Sequence, residues 1–268
     1  LAPFSEEMID CFIGAWYREL KRKGDIKNAD DAEALAEGLK AAVRRPDLWR
    51  LAPNPLLLTV MAVVHTHKGR LPDARALLYE EVVAILLWRW DQQKSLREMT
   101  QPRLAELMLQ AGRSEIDIKK MLGRLAFEAH RATVTRKDQA LADISEWELL
   151  HNLEMLHPKR SLDWARQLVS AFKHRAGLLL ERQPRVYAFP HRTFQEYLAG
   201  YYLTTQPNFA KTAASLATEG GKWREVILLG VGHLVYKVGE TDRPLALAAE
   251  LCPVKEKDTD EAWQMAWL

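Results

Sequence analysis

Helical periodicity dominates the pattern of apolar and polar positions along this chain. Ser5 followed by Glu6 and Glu7 reads as a helix start, with acids near the positive end of the dipole. Ile9, Phe12, Ile13, Trp16 and Leu20 then repeat at helical spacing as far as Lys23 and Gly24. Asn28 is placed to cap a second helix with apolar face Ala32, Leu35, Leu39 and Val43, stopped by Pro46. Asn54-Pro55 is a clean third start, Asn at the N-cap and Pro at the first helical position. The helix that follows, through His65, is apolar on nearly every side and is expected to be central and buried. After a loop at 68–72, Asp73 is placed to cap a long helix carrying Leu78, Val82, Ile85, Leu86, Leu87 and Trp90. Together these make a compact four-helix unit of about 90 residues.

Residues 91–101 are polar and read as a linker, after which the pattern changes. Helices are expected near 102–111, 116–131, 145–156 and 162–174. Apolar runs at 177–181 and 186–189 flank Arg182-Gln183-Pro184-Arg185 and read as a β-hairpin. Helices closed by one hairpin outline a winged helix-turn-helix. Thr193-Phe194-Gln195-Glu196 fits a capping box, Thr at the N-cap and Glu three residues on. Phe194, Tyr197, Leu198, Tyr201 and Tyr202 give that helix its buried face. Further helices are expected at 209–218, 223–236, 245–251 and 261–268, the beginning of a C-terminal helical array over 206–268. The fold class is therefore mainly α.

Composition narrows the function classes. Of 268 residues 48% are apolar, enough for a real core, which excludes a disordered chain. Thirty-eight Lys and Arg against 36 Asp and Glu leave a net charge of +2, far from the basic excess of a nucleic-acid coat. Cys11 and Cys252 are too few for a disulfide framework and read as reduced thiols of a cytoplasmic protein. The longest apolar stretch, 56–64, is far short of the ~20 residues of a membrane span. The chain begins at Leu1, not Met, which suggests a piece of something longer.

Motifs of self-contained catalysis are missing from the sequence. There is no G-x-x-x-x-G-K-[ST], no G-x-G-x-x-G, no H-E-x-x-H and no C-x-x-C. His65 and His67 lie two apart on a helix, so they face away from each other and cannot share a metal. Glu80 and Glu81 are adjacent and diverge in the same way. No catalytic residue and no metal site is expected.

Two stretches carry more specific information. One is Asn54-Pro55-Leu56-Leu57-Leu58-Thr59, with Gly69-Arg70-Leu71-Pro72 and Leu78-Tyr79 downstream. The other is Phe189-Pro190-His191-Arg192-Thr193-Phe194-Gln195-Glu196-Tyr197-Leu198-Ala199. In this order and separation they resemble the C-terminal half of a NACHT-type STAND NTPase, an NLR-like protein. The resemblance covers most of 1–205. It implies an upstream P-loop domain that holds ADP or ATP with magnesium, then a helical domain over 1–94, a winged helix over 95–205 and a sensor array. It also implies that Pro55 packs on the adenine face, that Asn54 holds the turn, and that His191 reaches the β-phosphate of ADP.

Local chemistry is compatible with those roles. Proline at a first helical turn offers an apolar surface with no N–H to satisfy. A helix amino end beside His191 favours an anion. The implied function is a latch, closed and monomeric on ADP and released to oligomerise, in signalling or in innate or antiphage defence. The trigger would be an unknown protein or ligand caught by the C-terminal array. Each position also has a plain structural alternative, a helix start at Asn54-Pro55 and a packed imidazole at His191.

Two other classes remain. A winged-helix DNA reader would use Arg166, Gln167, Ser170, Lys173 and His174, with Lys159, Arg160, Arg182 and Arg185, but Asp163 and Glu181 interrupt that stripe. A non-catalytic interaction module would use Trp223, Trp263 and Trp267 as anchors.

Overall fold

The computed structural model describes residues 3–89, 104–135, 143–173 and 179–252. The expected linker at 91–101, the helix at 261–268, and Trp90, His174, Trp263 and Trp267 lie outside the described residues. The chain is mainly helical with one small antiparallel sheet, and it divides into two compact units between Val82 and Val83.

In the first unit, helix α1 (Glu6–Lys23) starts where the Ser5 hydroxyl accepts from the Met8 N–H, and it stops at Gly24 in the left-handed region. There, φ of +86° lets the Gly24 and Asp25 N–H groups fold back onto the last carbonyls of the helix. Helix α2 (Ala29–Val43) begins after Asn28, but the Asn28 side chain makes no capping bond. Pro46 opens a short helix α3 (Pro46–Trp49). Helix α4 (Pro55–Lys68) is the buried centre: Leu57, Leu58, Met61, Ala62 and Val64 are at 2% exposure or less. Helix α4 packs against α1, where Ile9, Ile13 and Tyr17 are buried, and against α2, where Leu39 and Val43 are buried. Helix α5 (Arg75–Ala84) opens two residues beyond Asp73, which is exposed and faces Arg45 at 3.7 Å, and it continues as a π turn, Ile85–Arg89.

The second unit holds the winged helix. Helices α6 (Leu104–Ala111) and α7 (Glu115–Thr135) lead to strand β1 (Ile144–Ser145), helices α8 (Glu146–Glu154) and α9 (Leu162–Ala171), and the hairpin β2 (Leu180–Gln183) and β3 (Val186–Ala188). The sheet order is β1-β3-β2, with Ile144 opposite Tyr187 and Glu181 opposite Tyr187 on the other edge. The hairpin was legible in the sequence, although Arg182 and Gln183, expected in its turn, belong to β2; β1 was not, because two residues carry no alternation to read. Ser145 and Glu148 form a reciprocal capping box at the start of α8. The Trp164 indole of α9 donates to the Leu107 carbonyl of α6 at 2.7 Å, joining the two helices through a buried bond.

Helix α10 (Arg192–Thr204) runs through the middle of this unit, with Phe194, Tyr197, Leu198, Ala199 and Leu203 buried. Helices α11 (Phe209–Thr218), α12 (Arg224–His233) and α13 (Asp242–Leu251) complete the unit, α12 extended by a π turn, Leu234–Val238. Helix α10 packs between α7 and α12, and glycines set how closely the backbones approach.

Candidate functional site

The sequence nominates Asn54, Pro55 and His191. Asn54 and Pro55 belong to the first compact unit and His191 to the second, and the geometry of each is described within its own unit.

Asn54 is the N-cap of α4, and its Oδ1 accepts from the Leu56 N–H at 3.0 Å and the Leu57 N–H at 3.2 Å. Pro55 occupies the first helical position, where its missing N–H leaves nothing to satisfy. The Pro55 carbonyl accepts from the Thr59 hydroxyl at 2.8 Å, and the ring is half-buried. The turn before it is fixed as well: the Pro53 carbonyl accepts from the Phe4 N–H at 2.7 Å and the Leu51 carbonyl from the Asn54 N–H at 3.0 Å.

His191 requires a correction to the expected capping box. The helix starts at Arg192, so His191 itself, not Thr193, is the N-cap. Its backbone is extended, φ −148° and ψ 145°, and its Nδ1 accepts from the Thr193 N–H at 3.2 Å. The Thr193 hydroxyl lies 2.9 Å from the same nitrogen. Glu196 does not reach back to cap; its carboxylate instead accepts from Arg192 Nε at 2.9 Å, one turn away along the helix. The physical reason is reach: an imidazole nitrogen at the N-cap sits where a Ser or Asp oxygen ordinarily does and accepts the same orphan N–H.

This contact fixes the tautomer. A nitrogen that accepts from a backbone N–H carries no proton, so the Thr193 hydroxyl also donates to it and the imidazole proton resides on Nε2. Burial holds the His191 pKa below its ordinary value, which keeps the ring neutral near neutral pH. His191 is thus a neutral single donor through Nε2 at the amino end of a 13-residue helix.

Four of the six Lys and Arg side chains expected on a DNA-reading surface face acids, and among the described residues Lys159 and Arg160 do not. Lys173 pairs with Glu181 across the wing, Arg182 Nη1 lies 3.8 Å from Asp143, and Arg185 Nε 3.7 Å from Glu146. Arg166 is 3.5 Å from Asp163. Trp223 is not a docking anchor: it is fully buried, packed on Phe127 and His130 at 5.1 and 4.8 Å, and its indole donates to Glu219 at 3.1 Å. Trp in a helix pair became core because its large apolar area gains most from burial.

Among the described residues no cluster of three or more His, Cys, Asp or Glu could hold a metal ion, and no helix is long and apolar enough to cross a membrane. What sequence reading missed were the glycines at helix crossings, since a lone Gly within a helix gives no sign of what it meets.

Compared with known families, residues 75–203 match the winged helix-turn-helix domain C-terminal to NACHT. No curated protein matches the chain.

Proposed function

We propose, from the match of residues 75–203 to the winged helix-turn-helix domain C-terminal to NACHT, that the chain is the regulatory portion of a NACHT-type nucleotide switch. The nucleotide, ADP or ATP with magnesium, is bound by an upstream P-loop domain, and the phosphate chemistry belongs to that domain. Pro55 offers an apolar ring face to the adenine, and Asn54 holds the turn that presents it. His191 donates its Nε2 proton to a diphosphate oxygen. The protein is a cytoplasmic two-state device in signalling or defence. ADP favours the closed monomer, and loss of the His191 contact favours an open, self-associating form, because a ligand shifts an equilibrium only by binding its states unequally.

The observation that carries this reading is the state of His191. A neutral imidazole with its proton on Nε2, held by Thr193 at a helix amino end, is suited to one phosphate oxygen. The donor set fits a diphosphate: one directed N–H, a helix dipole of the right sign, and no carboxylate in the motif left without a cation, since Glu196 holds Arg192.

The test separates capping from ligand contact. His191→Asn keeps a good N-cap but removes the Nε2 donor. In the protein that includes the P-loop domain, this variant is expected to release ADP at least about tenfold faster, the equivalent of one lost hydrogen bond. It is also expected to shift from monomer toward oligomer by light scattering. Unchanged ADP release together with an unchanged monomer would overturn the latch.

A further inference from the structure

A groove of about 550 Å³ opens within the second unit, between α7, the carboxyl end of α10 and α11. That size is within the usual range of small-molecule sites, about 300–1,000 Å³. Its apolar side is made by Phe127, Tyr202 and Leu216. Phe127 and Tyr202 are half-buried, their ring centroids 5.4 Å apart and tilted by 51°, so each offers part of a ring to the groove.

The polar side is positive. Arg131 of α7 and Lys211 of α11 line the groove, and both are exposed. Among the described residues neither forms an ion pair. Arg124, Arg192, Arg224 and Arg243 of the same unit, by contrast, each hold a carboxylate. Two exposed cations lining one concavity give it a positive field that attracts an anion. The amino end of the ten-residue helix α11 adds to the field: Asn208, Lys211 and Thr212 line the groove, and the Asn208 side chain makes no capping bond. The acid in the lining, Glu219, accepts the Trp223 indole N–H at 3.1 Å.

We propose that this groove is a binding site for a small anionic ligand with a flat apolar body. The body lies against Phe127, Tyr202 and Leu216, and the charge meets Arg131, Lys211 and the start of α11. The site involves neither Pro55 nor His191, so it stands independently of the nucleotide latch.

Three probes dissect it on the full chain. A naphthalenesulfonate supplies body and charge, naphthalenemethanol the body alone, and inorganic sulfate the charge alone. The sulfonate is expected to bind at one site by calorimetry, to weaken with added salt, and to shift the amide signals of Lys211 and Thr212. Naphthalenemethanol and sulfate are each expected to bind at least about tenfold more weakly, since each forfeits one half of the contact. Lys211→Glu and Arg131→Glu, both exposed positions that leave the core untouched, are each expected to cut sulfonate affinity at least about tenfold. His191→Asn is expected to bind the probe as the native chain does. No sulfonate binding, binding unchanged by both charge reversals, or equal binding of the neutral analogue would overturn the proposal.

Discussion

Gly200 and Gly230 bring the backbones of α10 and α12 into direct contact. A Cβ on Gly200 would lie 2.5 Å from the Val226 carbonyl oxygen and 2.9 Å from the Gly230 nitrogen, and one on Gly230 would lie 3.0 Å from the Gly200 oxygen. Both clashes are with backbone, which no rotamer change relieves. Gly200→Ala is therefore expected to cost about 3 kcal/mol, the upper part of the range for overpacking a core. Urea denaturation would check it, and a loss below about 1 kcal/mol would mean the helices part without strain.

The cap of α4 gives a second expectation. Asn54 satisfies two N–H groups at the start of the most buried helix of the first unit. Asn54→Ala is expected to lower stability by about 1 kcal/mol, and Asn54→Asp to retain most of it. Denaturation midpoints of the three proteins compare them directly.

His191 gives a third. His191→Ala removes the acceptor for the Thr193 N–H and is expected to cost about 1 kcal/mol, whereas His191→Asn restores a cap and most of the stability. Equal loss in both variants would show that the imidazole contributes by packing and not by capping.

Burial lowers the pKa of His65, His130 and His191 below the ordinary value of 6.5. In each the folded state binds its proton less readily than the unfolded chain. Stability is therefore full above pH 6.5 and is lost as pH falls through that value toward the lower folded pKa values. His65 Nδ1 lies 2.6 Å from the Tyr17 hydroxyl in a buried contact. His130 donates through Nε2 to the Lys222 carbonyl at 3.0 Å and packs against Trp223 with the rings tilted by 58°. His130→Gln, which keeps a donor but does not titrate, is expected to flatten the acid limb of a stability-against-pH curve measured by chemical denaturation.

The ion pairs of the wing give the last expectation. With Lys173, Arg182 and Arg185 each facing an acid, the winged helix is expected to show no gel shift with duplex DNA at moderate salt. A shift that weakens steeply with salt would reverse that conclusion.

The sequence by itself determined most of the elements. Periodicity placed α1, α2, α4 and α11, and the bounds expected for α11, 209–218, are those observed. Asn54-Pro55 announced its own cap, because Asn and Pro at adjacent positions satisfy a helix start locally. The hairpin was legible from its flanking apolar runs. What the tertiary structure alone decided were matters of distance. It chose His191 over Thr193 as the cap of α10, since either residue can accept an orphan N–H and only the backbone path selects one. It buried Trp223, spent the cations of the wing on acids far away in sequence, and left Arg131 and Lys211 facing a common groove. Local bonding is written in neighbouring residues, whereas charge pairing and cavities depend on segments tens of residues apart meeting in space.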